Sequence, residues 1–270
     1  MTAPANGRVC SETGLYLLPA AAEVAHRVAK DRYVKSQGIN SARFNEAVGQ
    51  ISADAEDSRG RFDTFGRTVY FADSPKTAFA EVLQGFRKSK AALVPDAEAA
   101  GVPVDQYIAD VVQEARANQI DAPWAISVDW QMERSIWQVK MPADGWWVAI
   151  DHPSTQNRLT DDLFGELYHL GYRQLHSGIV AGDDRAVTTV VAEHIRNLVL
   201  DDGNLPLGIS FQSKTEYGRC WAFWNRRMDD GLVASPNDPQ ALDGEGRNVA
   251  IEEFETIARD YDLAILTRGR

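Results

Sequence analysis

Apolar positions along the chain switch between two periods, and the switches mark out the elements. At Thr68 to Ala72, TVYFA, β-branched and aromatic residues run unbroken between Gly66 and Asp73-Ser74-Pro75, the composition of a buried strand that stops abruptly. Ser74 is placed to cap and Pro75 to open a helix in which Ala78, Phe79, Val82 and Leu83 form one apolar stripe. Ile209 and Phe211 alternate with Ser210 and Gln212, which predicts a half-buried strand running into Ser213, and residues 220–224 make a second strand after a Tyr217-Gly218 turn. Between 137 and 150, WQVKMP and WWVAI read as a hairpin-like pair of strands around a turn at Ala143-Asp144-Gly145.

Helical periodicity appears at 105–118, where Tyr107, Ile108, Val111, Val112 and Ala115 share a face, and again at 161–171 and 184–200. The last of these aligns Val187, Val190, Val191, His194, Ile195 and Leu198, so His194 reads as a satisfied core residue. A final helix over 249–266 follows a Gly-, Asp- and Pro-rich loop at 235–246. Residues 1–14 read as a flexible N-terminus, and residues 20–33 as a helical lead-in. The pattern is that of an α+β chain, and periodicity alone leaves several such arrangements open. No internal repeat is visible.

Composition narrows the classes. The 270 residues are 44% hydrophobic and 25% charged, enough for one generous domain with an elaboration. A net charge of −11 argues against a nucleic-acid surface, because phosphate backbones reward clustered Lys and Arg. The start, MTAPANGRVCSETG, lacks a signal-like apolar stretch and no window approaches a membrane span, so no membrane partner is expected and the cytoplasm is the default location. Two cysteines, Cys10 and Cys220, give neither a disulfide framework nor ligand spacing, and the histidines at 26, 152, 169, 176 and 194 are scattered, so no metal is expected. Cys220 reads as core.

Candidate chemistry concentrates around the strand at 68–72. Arg61, Tyr70 and Glu81 bring a guanidinium, a phenol and a carboxylate to one strand and one helix, with Glu81 close to the apolar stripe rather than opposite it. A carboxylate there needs a partner or a purpose. One reading is a surface Arg–Glu pair contributing about 0 to 1 kcal/mol. The other is a site for an anionic nucleotide, with Arg61 forking onto phosphate, Tyr70 offering its ring to a base, and Glu81 holding a ribose hydroxyl or a developing positive charge. Spacing does not choose between them.

A second set of residues adds to the first. GRF with Arg61, VYFA with Tyr70, the helical Glu81 and GISFQS with Ser213 together resemble the RES domain, a family named for its Arg, Glu and Ser residues. His26-Arg27-Val28 is similar to the family's first motif, an aromatic residue followed by Arg, with His26 in the aromatic position. The likeness spans about residues 15–225 and is broken between 88 and 140, where no motif matches. Together with the chain length and the helical pattern at 249–266, it gives a single domain over 15–270 with an insertion at 88–140 and a C-terminal helix at 249–266. The implied fold is α+β with flanking helices around a mixed, mainly antiparallel sheet, similar to ADP-ribosyltransferases.

The resemblance also implies an enzyme that consumes NAD at the nicotinamide–ribose bond, as a glycohydrolase or, with inorganic phosphate as co-substrate, a phosphorylase. Family members serve as toxins of toxin–antitoxin pairs, so an antitoxin protein is the implied partner. Glu81 would face the oxocarbenium-like carbon, Arg27 and Arg61 the phosphates, Tyr70 the nicotinamide ring, and Ser213 a ribose hydroxyl or phosphate. Two alternatives stay open: transfer of ADP-ribose to a protein, and a non-enzymatic binding protein on the same scaffold.

Overall fold

The two segments that read most firmly as strands are joined through a third in one sheet. The computed structural model describes residues 6–31, 39, 59–242 and 246–267. In chain order it contains β1 (Arg8–Val9), β2 (Tyr16–Pro19), β3 (Val24–Lys30), β4 (Thr68–Ala72) and α1 (Pro75–Leu83). A single 3-10 turn (Gln84–Phe86) leads to α2 (Lys90–Ala100), α3 (Val104–Ala117), β5 (Ala125–Ile126), α4 (Val128–Met132), β6 (Arg134–Lys140) and β7 (Trp146–Ala149). Next come α5 (Pro153–Asp162), α6 (Phe164–His169), α7 (Ser177–Val180), α8 (Arg185–Arg196), β8 (Gly208–Gln212) and β9 (Arg219–Trp224). The chain continues through α9 (Arg226–Asp229), β10 (Gln240–Ala241), β11 (Arg247–Asn248), α10 (Glu252–Asp260) and β12 (Ala264–Ile265).

The main sheet runs β1-β2-β7-β8-β9-β4-β3-β6-β10, with β11 also on β6, and a separate pair joins β12 to β5. Among the described residues of the main sheet, only β7 and β8 pair in parallel, linked by the four helices α5 to α8 as a long crossover needs. The architecture is therefore α+β, with a mixed, mainly antiparallel sheet and flanking helices. Both faces of the sheet are buried. Val148, Ile150, Ile209 and Phe211 pack beneath Leu159, Val187 and Val191 of α5 and α8, while Val69, Phe71, Trp137, Trp147 and Phe223 fill the opposite side. A third cluster sets Phe79 and Leu83 of α1 against Phe254 and Ile257 of α10. Burial on both faces explains the near-continuous apolar runs of β4 and β9.

Register brings one edge of the sheet together as a site. Ala149 pairs with Ser210, Gln212 with Arg219, and Ala72 with Cys220, so the ends of β7, β8 and β4 and the starts of β2 and β9 share that edge. Asp73 fixes the corner: one carboxylate oxygen accepts from the backbone N–H of Arg219 at 2.7 Å and the other from Thr77 Oγ1 at 2.7 Å. Ser74 caps α1 by accepting from Thr77 N–H, and Pro75 opens the helix.

Several expectations are corrected. Residues 24–30 form a strand, not part of a helix over 20–33, because seven consecutive positions pair with β6; residues 32 and 33 lie outside the described residues. Residues 6–14, expected to be flexible, are tied in by β1–β2 pairing and by Cys10, which is 1% exposed. β6 and β7 do not form a hairpin: β6 pairs with β3, and β7 with β2 and β8, at separated places in the sheet. The expected insertion at 88–140 therefore includes an integral strand, β6. The helix expected over 184–200 ends at Arg196, and that expected over 249–266 spans only Glu252–Asp260, after which the chain turns through Asp262 at positive φ into β12. Part of the loop at 235–246 carries β10, while 243–245 lie outside the described residues.

Gly208 shows how tightly β8 meets β9. A Cβ there would sit 1.9 Å from the carbonyl oxygen of Ala222, a backbone atom held in the ladder. Gly208→Ala is expected to lower unfolding stability by about 2 to 4 kcal/mol, read from the urea midpoint. The control Gly85→Ala, where an added Cβ meets nothing within 4 Å, is expected to change it by under about 1 kcal/mol; equal losses from the two would show that close approach at β8–β9 is not limiting.

Candidate functional site

Glu81 lies on the last full turn of α1, a helix that starts at the capped corner after β4 and packs on β3 and β4. Its Oε1 accepts from Ser213 Oγ at 2.5 Å and stands 3.8 Å from a guanidinium nitrogen of Arg61. Oε2 accepts from the side-chain amide of Gln84 at 3.2 Å. Ser213 follows β8 and is 2% exposed. Its N–H donates to Gly218 carbonyl, and its Oγ accepts from Thr215 N–H, closing the turn between β8 and β9. With its one proton committed to Glu81, the Ser213 hydroxyl orients that carboxylate rather than serving as a free nucleophile.

Arg61 is 6% exposed, an unusual degree of burial for a permanent cation. Compensation comes from Glu81, from the carbonyl of Ala181 at 3.3 Å, and from the ring of Phe211, whose centroid lies 4.8 Å from the guanidinium carbon. The turn carrying Arg61 is built by Tyr70. The phenol donates to Asp63 Oδ1 at 2.8 Å and accepts from Phe62 N–H at 3.0 Å, while Asp63 Oδ2 accepts from Gly60 N–H. A Cβ at Gly60 would lie 2.5 Å from the Tyr70 oxygen, so only glycine lets the turn close on it. Burial first, and then the Asp63 carboxylate, push the phenol pKa well above its ordinary value, which keeps Tyr70 a donor.

The five residues singled out in the sequence divide between two cavities. Arg61 and Ser213 line a cleft of about 840 Å³, within the size range of small-molecule sites. Arg27, Tyr70 and Glu81 line a neighbouring pocket of about 130 Å³, together with Cys220 and Val82. Phe211 lines both. Glu81 thus reaches the large cleft through its contacts with Ser213 and Arg61. Arg27 does not line that cleft. It lies in mid β3 and donates to the Tyr70 carbonyl at 2.9 Å, bracing β4. Cys220 is buried, and burial followed by the nearby Glu81 raises its thiol pKa, so it stays protonated.

Other residues of the cleft escape a reading by motif. Asp151 and His152 follow β7, Lys214 follows Ser213, Arg219 opens β9, and Tyr16 opens β2. Arg219 pairs with Asp151 at 3.1 Å and donates to Ser210 Oγ; Lys214 pairs with Asp183 at 2.7 Å. Lys214 first, against the opposing cost of burial, holds the Asp183 carboxyl below its usual range. The signal for these residues was positional: each stands at a strand end on the same sheet edge, a property visible only with the strand order. His194, expected in the core, is half-buried and lies 3.5 Å from Asp162. Among the described residues no group of three metal-ligating side chains gathers, and no helix is long and apolar enough to cross a membrane.

No family model matches the chain, and no curated protein does. Among solved structures it is similar to the M. tuberculosis MbcT–MbcA toxin–antitoxin complex, at 12% identity over 83% of this chain and 84% of that one, with a TM-score of 0.38.

The phenol of Tyr70 provides a direct check on this geometry. Tyr70→Phe keeps the ring and removes one partner each from Asp63 and Phe62, so it is expected to cost about 1 to 3 kcal/mol in urea unfolding. An unchanged midpoint would mean that the ring alone matters and the hydroxyl does not build the turn.

Proposed function

We propose that this protein consumes NAD by breaking the bond between nicotinamide and ribose, the activity implied by its resemblance to the RES family. The observation that carries the reading is the Glu81 carboxylate, held by Ser213 at 2.5 Å and Arg61 at 3.8 Å beside a pocket of about 130 Å³ and a cleft of about 840 Å³ that share Phe211. A cavity of about 150 Å³ takes a benzene ring, so the small pocket suits one six-membered ring and the cleft suits the rest of a dinucleotide. On this reading nicotinamide enters between Tyr70 and Val82, and the adjoining ribose meets Glu81.

The chemistry follows from charge. As the C–N bond breaks, its electron pair goes to the nicotinamide nitrogen, which becomes neutral, and positive charge develops on the ribose ring. A carboxylate beside that ring is worth more in the transition state than with bound substrate, which is the condition for catalysis. Ser213 and Gln84 hold Glu81 in place, so little reorganisation is needed as the charge appears. Water then bonds to the ribose carbon and releases a proton, giving nicotinamide and ADP-ribose; inorganic phosphate as acceptor gives the ribose phosphate ester instead. Arg61, already buried and charged, is suited to the pyrophosphate or to an incoming phosphate. Arg27, outside the large cleft, acts through the backbone of Tyr70.

An antitoxin that covers the site is the partner that the same resemblance suggests. The reaction is tested by measuring nicotinamide release from NAD, with and without phosphate, by the purified chain freed of any bound protein. Release is expected, and Glu81→Gln is expected to reduce it roughly 10² to 10⁴-fold with the fold intact by circular dichroism. No release by the parent under either condition, or a Glu81→Gln variant as fast as the parent, overturns the reading; label carried from NAD onto a protein acceptor would instead mark a transferase.

A further inference from the structure

One wall of the large cleft carries a stacked ring pair with no role in the chemistry above. Tyr16 and His152 lie with ring centroids 3.7 Å apart and planes 11° from parallel, and both line the cleft. The pair is braced from behind. Tyr16 N–H donates to Thr155 Oγ1 at 2.9 Å, and Thr155 is fully buried. Gly7 lies so close to the Tyr16 ring that a Cβ would come within 2.3 Å of Cε1. His152 caps α5: its Nδ1 accepts from Ser154 N–H at 3.2 Å. That bond fixes the orientation of the imidazole beside the Tyr16 ring.

From these contacts the geometry points to a purine subsite: the Tyr16–His152 pair is the platform on which the adenine of an adenine nucleotide stacks. The assignment rests on the NAD reading for its orientation. Along the sheet edge the order is β2, β7, β8, β9, β4. The ring pair stands at β2 and β7, Ser213 at β8, Arg219 at β9 and Tyr70 on β4. Neighbouring strands are about 4.8 Å apart, so the platform lies roughly 5 to 10 Å from Ser213, with the cationic side chains of Arg61, Lys214 and Arg219 lining the same cleft. An extended dinucleotide with its nicotinamide at Tyr70 places its pyrophosphate among those cations and its second base at the rings. Charge agrees with that direction: adenine is neutral and stacks on aromatic rings, whereas the cationic nicotinamide belongs beside the Glu81 carboxylate. Two rings already parallel lose little freedom when a third joins them.

His152→Asn separates a base platform from a structural cap, since asparagine keeps an N-cap acceptor and removes the ring. The probes are AMP, which carries only the adenine end, and nicotinamide mononucleotide, which carries only the other. Calorimetry is expected to show AMP binding to the parent and a roughly 5- to 100-fold weaker affinity in His152→Asn, the range of one base–aromatic stack. The loss should fall on AMP and not on nicotinamide mononucleotide, while Glu81→Gln should show the reverse. In the parent, AMP should also shift the His152 ring proton resonances upfield. The subsite is overturned if the parent does not bind AMP at millimolar concentration, or if His152→Asn binds it as well as the parent does. The two proposals fail separately: AMP binding through His152 in a protein that releases no nicotinamide keeps the purine subsite and removes the NAD reaction, and nicotinamide release with no AMP binding does the opposite.

Discussion

A buried guanidinium governs this structure. Arg61 holds a full positive charge at 6% exposure, and an unpaired charge in such surroundings costs several kcal/mol, so the elements around it are arranged to compensate. α1 supplies Glu81, the segment before α8 supplies the Ala181 carbonyl, and β8 supplies the Phe211 ring. Three elements remote in sequence therefore converge on one point. Removing the cation would leave Glu81 with Ser213 and Gln84 alone; removing Glu81 would leave Arg61 with one carbonyl and aromatic faces. The arrangement contributes less to stability than to placement, because a pair 3.8 Å apart at the edge of a cleft is partly screened by water.

Tyr70 takes part in the same constraint from below. Its ring was expected to present a face to a base, yet its hydroxyl is committed to folding the turn from Gly60 to Asp63. Both roles fit one side chain, since the ring lines the small pocket while the hydroxyl points into the turn. The consequence is that a substitution at Tyr70 alters the position of Arg61 as well as the pocket wall. Kinetic effects at the two positions are then coupled and would not add.

How much of this was legible in the sequence differs by element. β4, α1, β8 and β9 could be read because their turn residues and apolar runs are local: Ser74-Pro75 opens a helix whatever lies elsewhere. β3 could not. Its VAHRVAK has two alanines and no strict alternation, and it becomes a strand through pairing with β4 on one side and, across a separation of more than a hundred residues, with β6 on the other. The hairpin expected at 137–150 failed for the same reason, since the partners of β6 and β7 are distant strands and the turn between them joins separated parts of the sheet. Within the site, Arg61, Glu81 and Ser213 could be singled out as types in an order, but their meeting could not be read from spacing. Asp151, His152, Lys214 and Arg219 carried no local signal, because each becomes part of the cleft only through the strand order.

The parallel pairing of β7 with β8 is what turns that order into a binding surface. Two parallel strands end on the same side, so the residues after β7 and after β8 emerge together, and antiparallel β9 and β2 begin there. Had β7 and β8 been joined by a tight hairpin, His152 and Ser213 would lie at opposite ends of the sheet. The four-helix connection that parallel pairing demands also supplies Ser177, Gly178 and Ala181 to the cleft wall, and α8 to the core beneath it. One topological choice thus gives the cleft both its floor and its wall, while the charged corner at Arg61 and the ring pair at Tyr16 lie at different strands along it. On the proposed reading, a dinucleotide that is anionic in the middle and carries a base at each end would span both.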